Sequence, residues 1–497
     1  MRTSLTDDSS LTRVEVKRRA TAGVFFVATR WLLIVVLGFV GNIIVARLLT
    51  PEDFGLVAFG MVVVLFTQLV SDGGLGAGLI RRAEPPTDAE LGALSAFQLA
   101  VTGAVSLATV AVAGVFGQGG WVTAIMVGSM PFVALQFPGR ILMERALLYR
   151  RLAVVELVQA VAFQAWAVGT VIMGAGVWGL ATATLVRGLA GAVMVAWVCP
   201  EGLVRPRFAT RLIKPLLSFG IRFQAVHVVW IGGEQTLNAS VGAVGGISDL
   251  GLWVLARRLV EVPLMLTASI RRVSFPVMSK LIAAQENVGP LIERAMGVTA
   301  ISGGFLLAAL AGGAPGLVPG IFGEHWQAAS SILPGACLAV GISGPVLVAT
   351  QGFLFVVDDA TAVLRGEIVQ EVLWISLSLG LYPVLGIAAV GIGWAIASVP
   401  QAVILCRATT RRSHAALLRP LLVPLTVGAC ASAAGWEITV RAGSGLAAGF
   451  LGASASVLLF GAGLALFDRT RLRDTCRLGL TAVRNAWGGG RSGRTAE

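Results

Sequence analysis

Five arginines stand within apolar stretches of membrane-spanning length, and they are the residues best placed to bind a ligand: Arg30, Arg187, Arg222, Arg257 and Arg258. A charged side chain in hydrocarbon costs about 2.5–3.5 kcal/mol on insertion scales, so it usually faces a wet cavity or a charged partner. The planar guanidinium donates paired hydrogen bonds to phosphate oxygens and keeps its charge at physiological pH. These arginines therefore predict a cationic site for a phosphate-like anion inside the membrane.

Internal ion pairs are the alternative interpretation of the same arginines. Glu261 follows Arg257 by four residues and Arg258 by three, so it can neutralise either one on a helix. Adjacent helical positions point about 100° apart. At most one of these two arginines can therefore face a cavity squarely.

The composition indicates that lipid is the solvent around these residues. The chain has 497 residues, of which 56% are hydrophobic and only 13% charged, with a mean hydropathy of +0.84, whereas soluble domains carry about 25% charged residues. The net charge is +12, and the basic residues lie in short clusters between apolar runs rather than on one polar surface. This distribution argues against a nucleic-acid partner. Five scattered cysteines and the lack of a phosphate-binding glycine loop predict no metal, no cofactor and no nucleotide. We expect an all-α integral membrane protein.

Fourteen stretches approach the roughly 20 apolar residues that cross a bilayer. They lie near residues 21–46, 54–79, 91–116, 120–138, 152–174, 177–198, 215–243, 247–270, 288–311, 327–350, 361–384, 386–406, 415–437 and 443–467. The segments after even-numbered spans and both tails hold most of the lysines and arginines, which predicts a cytoplasmic N-terminus and a cytoplasmic C-terminus. The first stretch lacks a small-residue cleavage site, so we expect it to be retained as a span.

Two pairs of similar sequence segments predict an internal repeat. The stretch from Asn42 to Gly55 resembles that from Asn238 to Gly251, and both end within an Asp-x-Gly-Leu motif. "GAGVWGLA" and "GIAAVGIG" are separated by a similar distance, which is an even number of spans and so a parallel repeat. We therefore predict a cytoplasmic tail over 1–20, an N-terminal lobe over 21–199 and a C-terminal lobe over 200–410. Two extra spans over 411–468 and a basic cytoplasmic tail over 469–497 follow.

An ordered set of motifs resembles a known family. "ARLLTPEDFGLVAF", "SDGGLGAGLIRR", "LLSFGIRF", "LGLWVLARRLVEVP" and "IFGEHWQAASSIL" are similar, in order and spacing, to polysaccharide exporters of the Wzx type. These are flippases of the multidrug/oligosaccharidyl-lipid/polysaccharide superfamily, most like the colanic-acid-exporter branch. The chain departs from this family at Trp253 and Arg257, where tyrosines are common, but it keeps Arg258.

The resemblance implies two six-helix lobes around a central cavity, working by alternating access in the bacterial cytoplasmic membrane. Its cargo would be an oligosaccharide linked to undecaprenyl pyrophosphate, its partners membrane lipid and polysaccharide assembly enzymes. The five arginines would then bind the pyrophosphate or an acidic sugar, with Arg258 favoured over Arg257 by the family match.

Three carboxylates are candidates for coupling transport to an ion, because a buried acid can change its charge as access alternates. They are Asp72, Glu234 and Glu261. Each also has a structural interpretation, since Asp72 precedes "GGLG" and can cap a helix break, Glu234 can pair with Arg222, and Glu261 can pair with either neighbouring arginine.

Other functions compete with the glycan flippase. A lipid II flippase has the same charge requirement and differs only in motifs. A multidrug antiporter for cationic drugs would favour carboxylates over arginines. A membrane glycosyltransferase or polymerase needs catalytic residues on a substantial outer loop, and the best pair here is Glu324 and His325 in "IFGEHW".

Overall fold

The computed structural model describes residues 33–76, 79, 84–146, 148–207, 209, 231–263, 287–443 and 445–488, with the side chains given only to residue 478 in the last range. The predicted site residues Arg30 and Arg222 lie outside these described residues. Within them the chain is helical and contains no β-strand.

The helices follow one another with short connections. In chain order they are α1 (Leu33–Leu48), α2 (Pro51–Asp72), α3 (Asp88–Ala113), α4 (Gly117–Val127), α5 (Met130–Arg145), α6 (Tyr149–Ile172), α7 (Val177–Val198), α8 (Ile231–Pro263), α9 (Gly289–Phe322), α10 (Leu333–Val356), α11 (Ala360–Leu385), α12 (Ala388–Ser413), α13 (Leu418–Ala442), α14 (Leu446–Phe467) and α15 (Arg469–Gly488). Short 3₁₀ turns over Gly114–Phe116 and Glu324–Ile332 precede α4 and α10.

Eleven helical stretches in the described residues are long and apolar enough to cross a membrane. The prediction of fourteen spans divides two of these, Asp88–Arg145 and Ile231–Pro263, and adds the shorter helix Leu33–Leu48. The division of α8 has a local cause, because Gly246 has a φ of 86° within it, a conformation that glycine adopts without strain. Large apolar side chains such as Leu458 and Leu466 are exposed on α14, as a lipid-facing surface requires.

The start of α2 is defined by its own sequence. Thr50 and Asp53 form a capping box, in which the Asp53 amide donates to Thr50 Oγ1 at 3.3 Å and the Thr50 amide to Asp53 Oδ2 at 3.0 Å. Pro51 occupies the first turn, where its missing N–H costs nothing. Gly73, with a φ of 49°, ends the helix.

The chain divides into two compact units, Met1–Gly251 and Leu252–Glu497. In unit 1, α4 packs against α2 and α3, while α6 packs against α7. In unit 2, α11 packs on α12, and α9 contacts α10, α13 and α14. The predicted lobe boundaries at 199 and 410 stay predictions.

The last two predicted spans, α13 and α14, pack on α9 and on each other through small residues. A Cβ built on Gly313 would lie 2.6 Å from the Gly449 carbonyl oxygen, and one on Gly435 would lie 2.5 Å from that of Gly452. Thr439 of α13 donates its hydroxyl hydrogen bond to the Gly312 carbonyl of α9 at 2.8 Å. Such close approach supplies the dispersion contacts and hydrogen bonds that drive helix association in lipid.

The Thr439 hydrogen bond gives a prediction of modest size. Thr439→Val is expected to lower the stability of the α9–α13 contact by about 1 kcal/mol, the usual range for an interhelical hydrogen bond in a membrane protein. Thr426→Val is the matched control, because Thr426 is exposed on the same helix and bonds only to carbonyls of its own helix. The free energy of unfolding of both variants can be measured in mixed micelles of graded composition. Equal losses of stability in the two variants would contradict a stabilising role for the Thr439 hydrogen bond to α9.

The two predicted repeat motifs contact each other within unit 1. A Cβ on Gly55 would overlap the Ile247 carbonyl oxygen, and a Cβ on Gly251 would overlap the Pro51 carbonyl oxygen. Gly251 follows Gly55 by 196 residues and Ile247 follows Pro51 by the same 196 residues, so each glycine meets the residue equivalent to the other glycine's partner and the contact is reciprocal. The first turn of α2 and the equivalent turn of α8 therefore cross at backbone-to-backbone distance, which only glycine allows.

Candidate binding site

Helix α8 carries the two adjacent arginines of unit 2. Arg258 lies twelve residues beyond Gly246, about 18 Å along the helix at 1.5 Å per residue. Its side chain is exposed, whereas that of Arg257 is half-buried. The neighbours thus differ in surroundings, as their 100° separation requires.

Arg257 has two partners in its own unit. Its Nη1 lies 3.9 Å from Glu261 Oε1 on the next turn, an ion pair longer than a hydrogen bond. Its guanidinium also lies 5.3 Å from the ring centre of Trp394, within cation–π range. The ion pair weighed as the alternative interpretation is therefore present for Arg257.

Three tryptophans hold this arrangement in place. The ring centroids of Trp374 and Trp394 stack 4.7 Å apart, and Trp253 meets them edge-on at 5.6 and 6.1 Å. Trp374 Nε1 donates to the Val390 carbonyl at 3.0 Å. Trp253, the position where the chain departs from the family's usual tyrosine, is thus a core residue, 1% exposed.

A buried polar group beside the tryptophans escaped the sequence analysis. Gln370 and Glu371 precede Trp374 by about one turn on α11, and Gln401 follows Trp394 by two turns on α12. All three are less than a tenth exposed. Neither polar atom of the Gln401 amide has a hydrogen-bond partner among the described residues. Glu371 could have been found from the sequence, because it is a carboxylate ten residues into the predicted span 361–384.

Arg187 belongs to a polar group in unit 1. Its side chain is exposed on α7, within electrostatic reach of Arg140 and Glu156. Arg140 Nη2 lies 3.6 Å from Glu156 Oε1 and 3.5 Å from Gln159 Oε1. Helix α5 continues through Pro138 to Arg145, so Arg140 lies on this helix rather than in a connection between helices.

Buried amides connect this group to the helix that carries Arg187. Gln159 Nε2 of α6 donates to Gln136 Oε1 of α5 at 2.5 Å. Gln136 Nε2 in turn donates to the Gly188 carbonyl of α7 at 2.9 Å. Three helices of unit 1 are therefore fixed around Arg140 and Arg187.

The predicted coupling carboxylates occupy different positions. Glu261 is paired with Arg257, and Glu234 is half-buried on α8. Asp72, also half-buried, ends α2 and lines a cavity of unit 1. Among the described residues, no group of three His, Cys, Asp or Glu side chains could hold a metal ion.

Unit 2 also contains a largely apolar cavity of about 560 Å³. Its walls come from α9, α10, α12 and α13, and include Leu307, Leu338, Ile396, Leu425 and Trp436. The shape and lining suit a hydrocarbon chain rather than a charged group.

Comparison with known proteins places the chain among polysaccharide exporters by sequence. Residues 44–331, more than half of the chain, match the family described as polysaccharide biosynthesis protein. The chain is 23% identical over 345 residues to the lipopolysaccharide biosynthesis protein WzxC of Escherichia coli (strain K12), covering 65% of this chain and 68% of WzxC. It is 24% identical over 318 residues to the succinoglycan biosynthesis transport protein ExoT of Rhizobium meliloti (strain 1021), covering 62% of this chain and 64% of ExoT.

Solved structures with the same fold are membrane transporters. The lipid II flippase MurJ in an inward closed conformation superposes with a TM-score of 0.69 at 12% identity, over 90% of this chain and 99% of that one. An inward-facing multidrug transporter of the MOP superfamily superposes with a TM-score of 0.59 at 14% identity, over 79% and 98%. These likenesses confirm the predicted all-α transporter fold.

Proposed function

This chain belongs to the polysaccharide biosynthesis protein family, and on that premise we propose that it is a flippase, a transporter and not an enzyme. Its cargo is an oligosaccharide linked to undecaprenyl pyrophosphate, moved from the inner to the outer leaflet of the cytoplasmic membrane by alternating access. The names of WzxC and ExoT, a polysaccharide biosynthesis protein and a transport protein, support this cargo class.

The observation that carries the proposal is the exposed side chain of Arg258, a residue that the sequence predicts to lie at membrane depth. An exposed guanidinium at that depth faces either lipid or water, and the cost of a lipid-facing charge favours a water-filled cavity. Arg257 already interacts with Glu261 and Trp394. Arg258 is the more exposed of the two arginines, and we propose that it offers its planar donors to a pyrophosphate.

The other predicted arginines complete the proposed anion site. Arg187 is exposed on α7 beside Arg140, and this pair concentrates positive charge in unit 1. Arg30 and Arg222 are proposed as further ligands from their depth in the predicted spans. The apolar cavity of unit 2 accommodates part of the isoprenoid chain.

Asp72, Glu234 and Glu261 are proposed to couple transport to an ion, and the buried Glu371 is proposed as a fourth candidate. Both termini are proposed to be cytoplasmic, and enzymes that assemble the polysaccharide are the expected protein partners.

A lipid II flippase is the second candidate for the function, because the fold match to MurJ extends over nearly all of that protein.

Lipid analysis of a strain that lacks this gene tests the function. The strain is expected to accumulate one complete lipid-linked repeat unit, identified by mass spectrometry, and the wild-type gene is expected to remove it. Accumulated lipid II would support the second candidate. An incomplete unit would indicate an enzyme, and no accumulated lipid-linked sugar, in a background without a second flippase, would contradict the proposal.

A further inference from the structure

A second cavity, of about 320 Å³, lies inside unit 1. It is bordered by the second half of α2, by α3, by α5 and by Ile231 at the start of α8. Five of the described residues that line it are polar: Gln68, Ser71, Asp72, Gln98 and Thr102. None of these was assigned to substrate binding from the sequence.

Hydrogen-bond acceptors face this cavity. Gln98 is 2% exposed, and its Oε1 has no hydrogen-bond partner among the described residues. Thr102, also 2% exposed, donates its hydroxyl hydrogen to the Gln98 carbonyl at 2.7 Å, which leaves the hydroxyl oxygen to accept. The Asp72 carboxylate borders the same space. Because an unmet buried acceptor is costly, the cavity favours a ligand that is rich in donors.

The size of the cavity distinguishes a bare cation from a larger ligand that carries hydrogen-bond donors. A bare cation needs several oxygens at about 2.3–2.6 Å, as calcium sites illustrate. A volume of about 320 Å³ corresponds to roughly ten water molecules at about 30 Å³ each, and it lies near the lower limit for small-molecule pockets, about 300 Å³. The space therefore fits a polyatomic group with several hydroxyls.

The cavity also has an apolar wall. Phe137 and Met130 of α5 line it, as do Leu65 and Leu69 of α2. Phe137 reaches this position because Gly76 lacks a side chain: a Cβ there would stand 2.7 Å from Phe137 Cζ and 3.5 Å from Asp72 Oδ1. A ring that bears hydroxyls on its edge and C–H groups on its face matches both surfaces.

We propose that this cavity is a subsite for one sugar ring of the cargo. The Gln98 and Asp72 oxygens accept hydrogen bonds from its hydroxyls, and Phe137 covers its C–H face. This inference rests on the proposed function, and it adds glycan recognition in unit 1 to pyrophosphate binding by the arginines.

Two lipid probes separate the sugar from the pyrophosphate. The purified full chain in nanodiscs is titrated with the lipid-linked intermediate extracted from the deletion strain, and separately with sugar-free undecaprenyl pyrophosphate. Gln98→Leu is expected to bind the glycosylated lipid about tenfold more weakly and the sugar-free lipid as the wild type does. Arg258→Ala is expected to weaken binding of both.

A matched threonine pair protects the test against misfolding of the Gln98 variant. Thr102→Val removes an acceptor from the cavity, while Thr350→Val removes an equally buried hydroxyl that bonds one turn back on α10 and does not line it. Only Thr102→Val is expected to weaken binding of the glycosylated lipid selectively.

The outcomes separate the two proposals. Wild-type protein that binds both lipids with equal affinity overturns the sugar subsite and leaves the flippase proposal standing. Cavity variants that bind as the wild type does, or that weaken both probes equally, also overturn the subsite. Wild-type protein that binds neither probe overturns the proposed function, and the subsite with it.

Discussion

Arg258→Ala is expected to reduce clearance of the lipid-linked intermediate in the deletion strain by about 10- to 100-fold. A hydrogen bond to a charged group contributes about 1.5–3 kcal/mol, and about 1.4 kcal/mol corresponds to a factor of ten. Arg258→Lys is expected to fall between alanine and wild type, because lysine keeps the charge and loses the planar pair of donors. Mass spectrometry of the extracted lipids, at matched protein levels, measures all three.

Two further arginine variants make this result specific. Arg257→Ala is expected to have the smaller effect on transport, because Arg257 already contacts Glu261 and Trp394. Arg441→Ala is the neutral control, since Arg441 forms an exposed pair with Glu437 at 2.7 Å on α13 and such pairs contribute little. Normal clearance by Arg258→Ala, or a larger loss in Arg257→Ala, would contradict the assignment of the pyrophosphate ligand.

The sequence predicts those features of the fold that depend on contacts between residues close in the chain, such as helix caps and ion pairs within one helix. Pro51 and the capping residues at the start of α2 are sequence neighbours, and the structure forms the cap there. The Arg257–Glu261 pair follows equally from helical spacing, and it is found at 3.9 Å. The ordered motifs predicted the family, which the match over residues 44–331 confirms.

Features that depend on distant contacts or on helix length were missed. The predicted span over 120–138 stops at Pro138, whereas α5 continues past it to Arg145 and carries Arg140, which lies beside Glu156. The C-terminal tail contains a helix, α15, whose polar composition gave no membrane-span signal. Gln98 is neutral, so it gives no charge signal in the sequence, and its cavity forms only where four helices that are separated in sequence meet.

The glycines of the two repeat motifs have a structural role that sequence similarity alone does not reveal. The Asp-x-Gly-Leu echo predicted two equivalent turns, and the structure brings those turns into mutual contact in unit 1. Each glycine faces a backbone carbonyl of the other motif, namely Ile247 for Gly55 and Pro51 for Gly251. A carbonyl cannot move aside by changing a rotamer, so an added methyl group must separate the two helices.

Gly55→Ala and Gly251→Ala are each expected to destabilise the protein by about 1–3 kcal/mol or more, the cost of overpacking. The loss will be measured as a lower melting temperature and a lower folded yield in detergent. Gly103→Ala is the matched control: in the part of the chain that the structure describes, no neighbouring atom outside the backbone of its own helix lies within 4 Å of a Cβ at that position, so alanine is expected to be neutral or stabilising by up to about 1 kcal/mol. A loss in the control equal to that at Gly55 would assign the effect to glycine content rather than to the contact.

The double variant Gly55→Ala/Gly251→Ala tests whether the two glycines serve one crossing. Once a first methyl group has separated α2 from α8, the second meets less resistance, so the combined loss is expected to be smaller than the sum of the single losses. Such coupling is usual for residues that share a contact, whereas independent sites add within about 0.5 kcal/mol. An additive result would mean that Gly55 and Gly251 act in separate contacts. A subadditive result would establish one reciprocal crossing, in which both repeat motifs keep glycine because each must admit the backbone of the other.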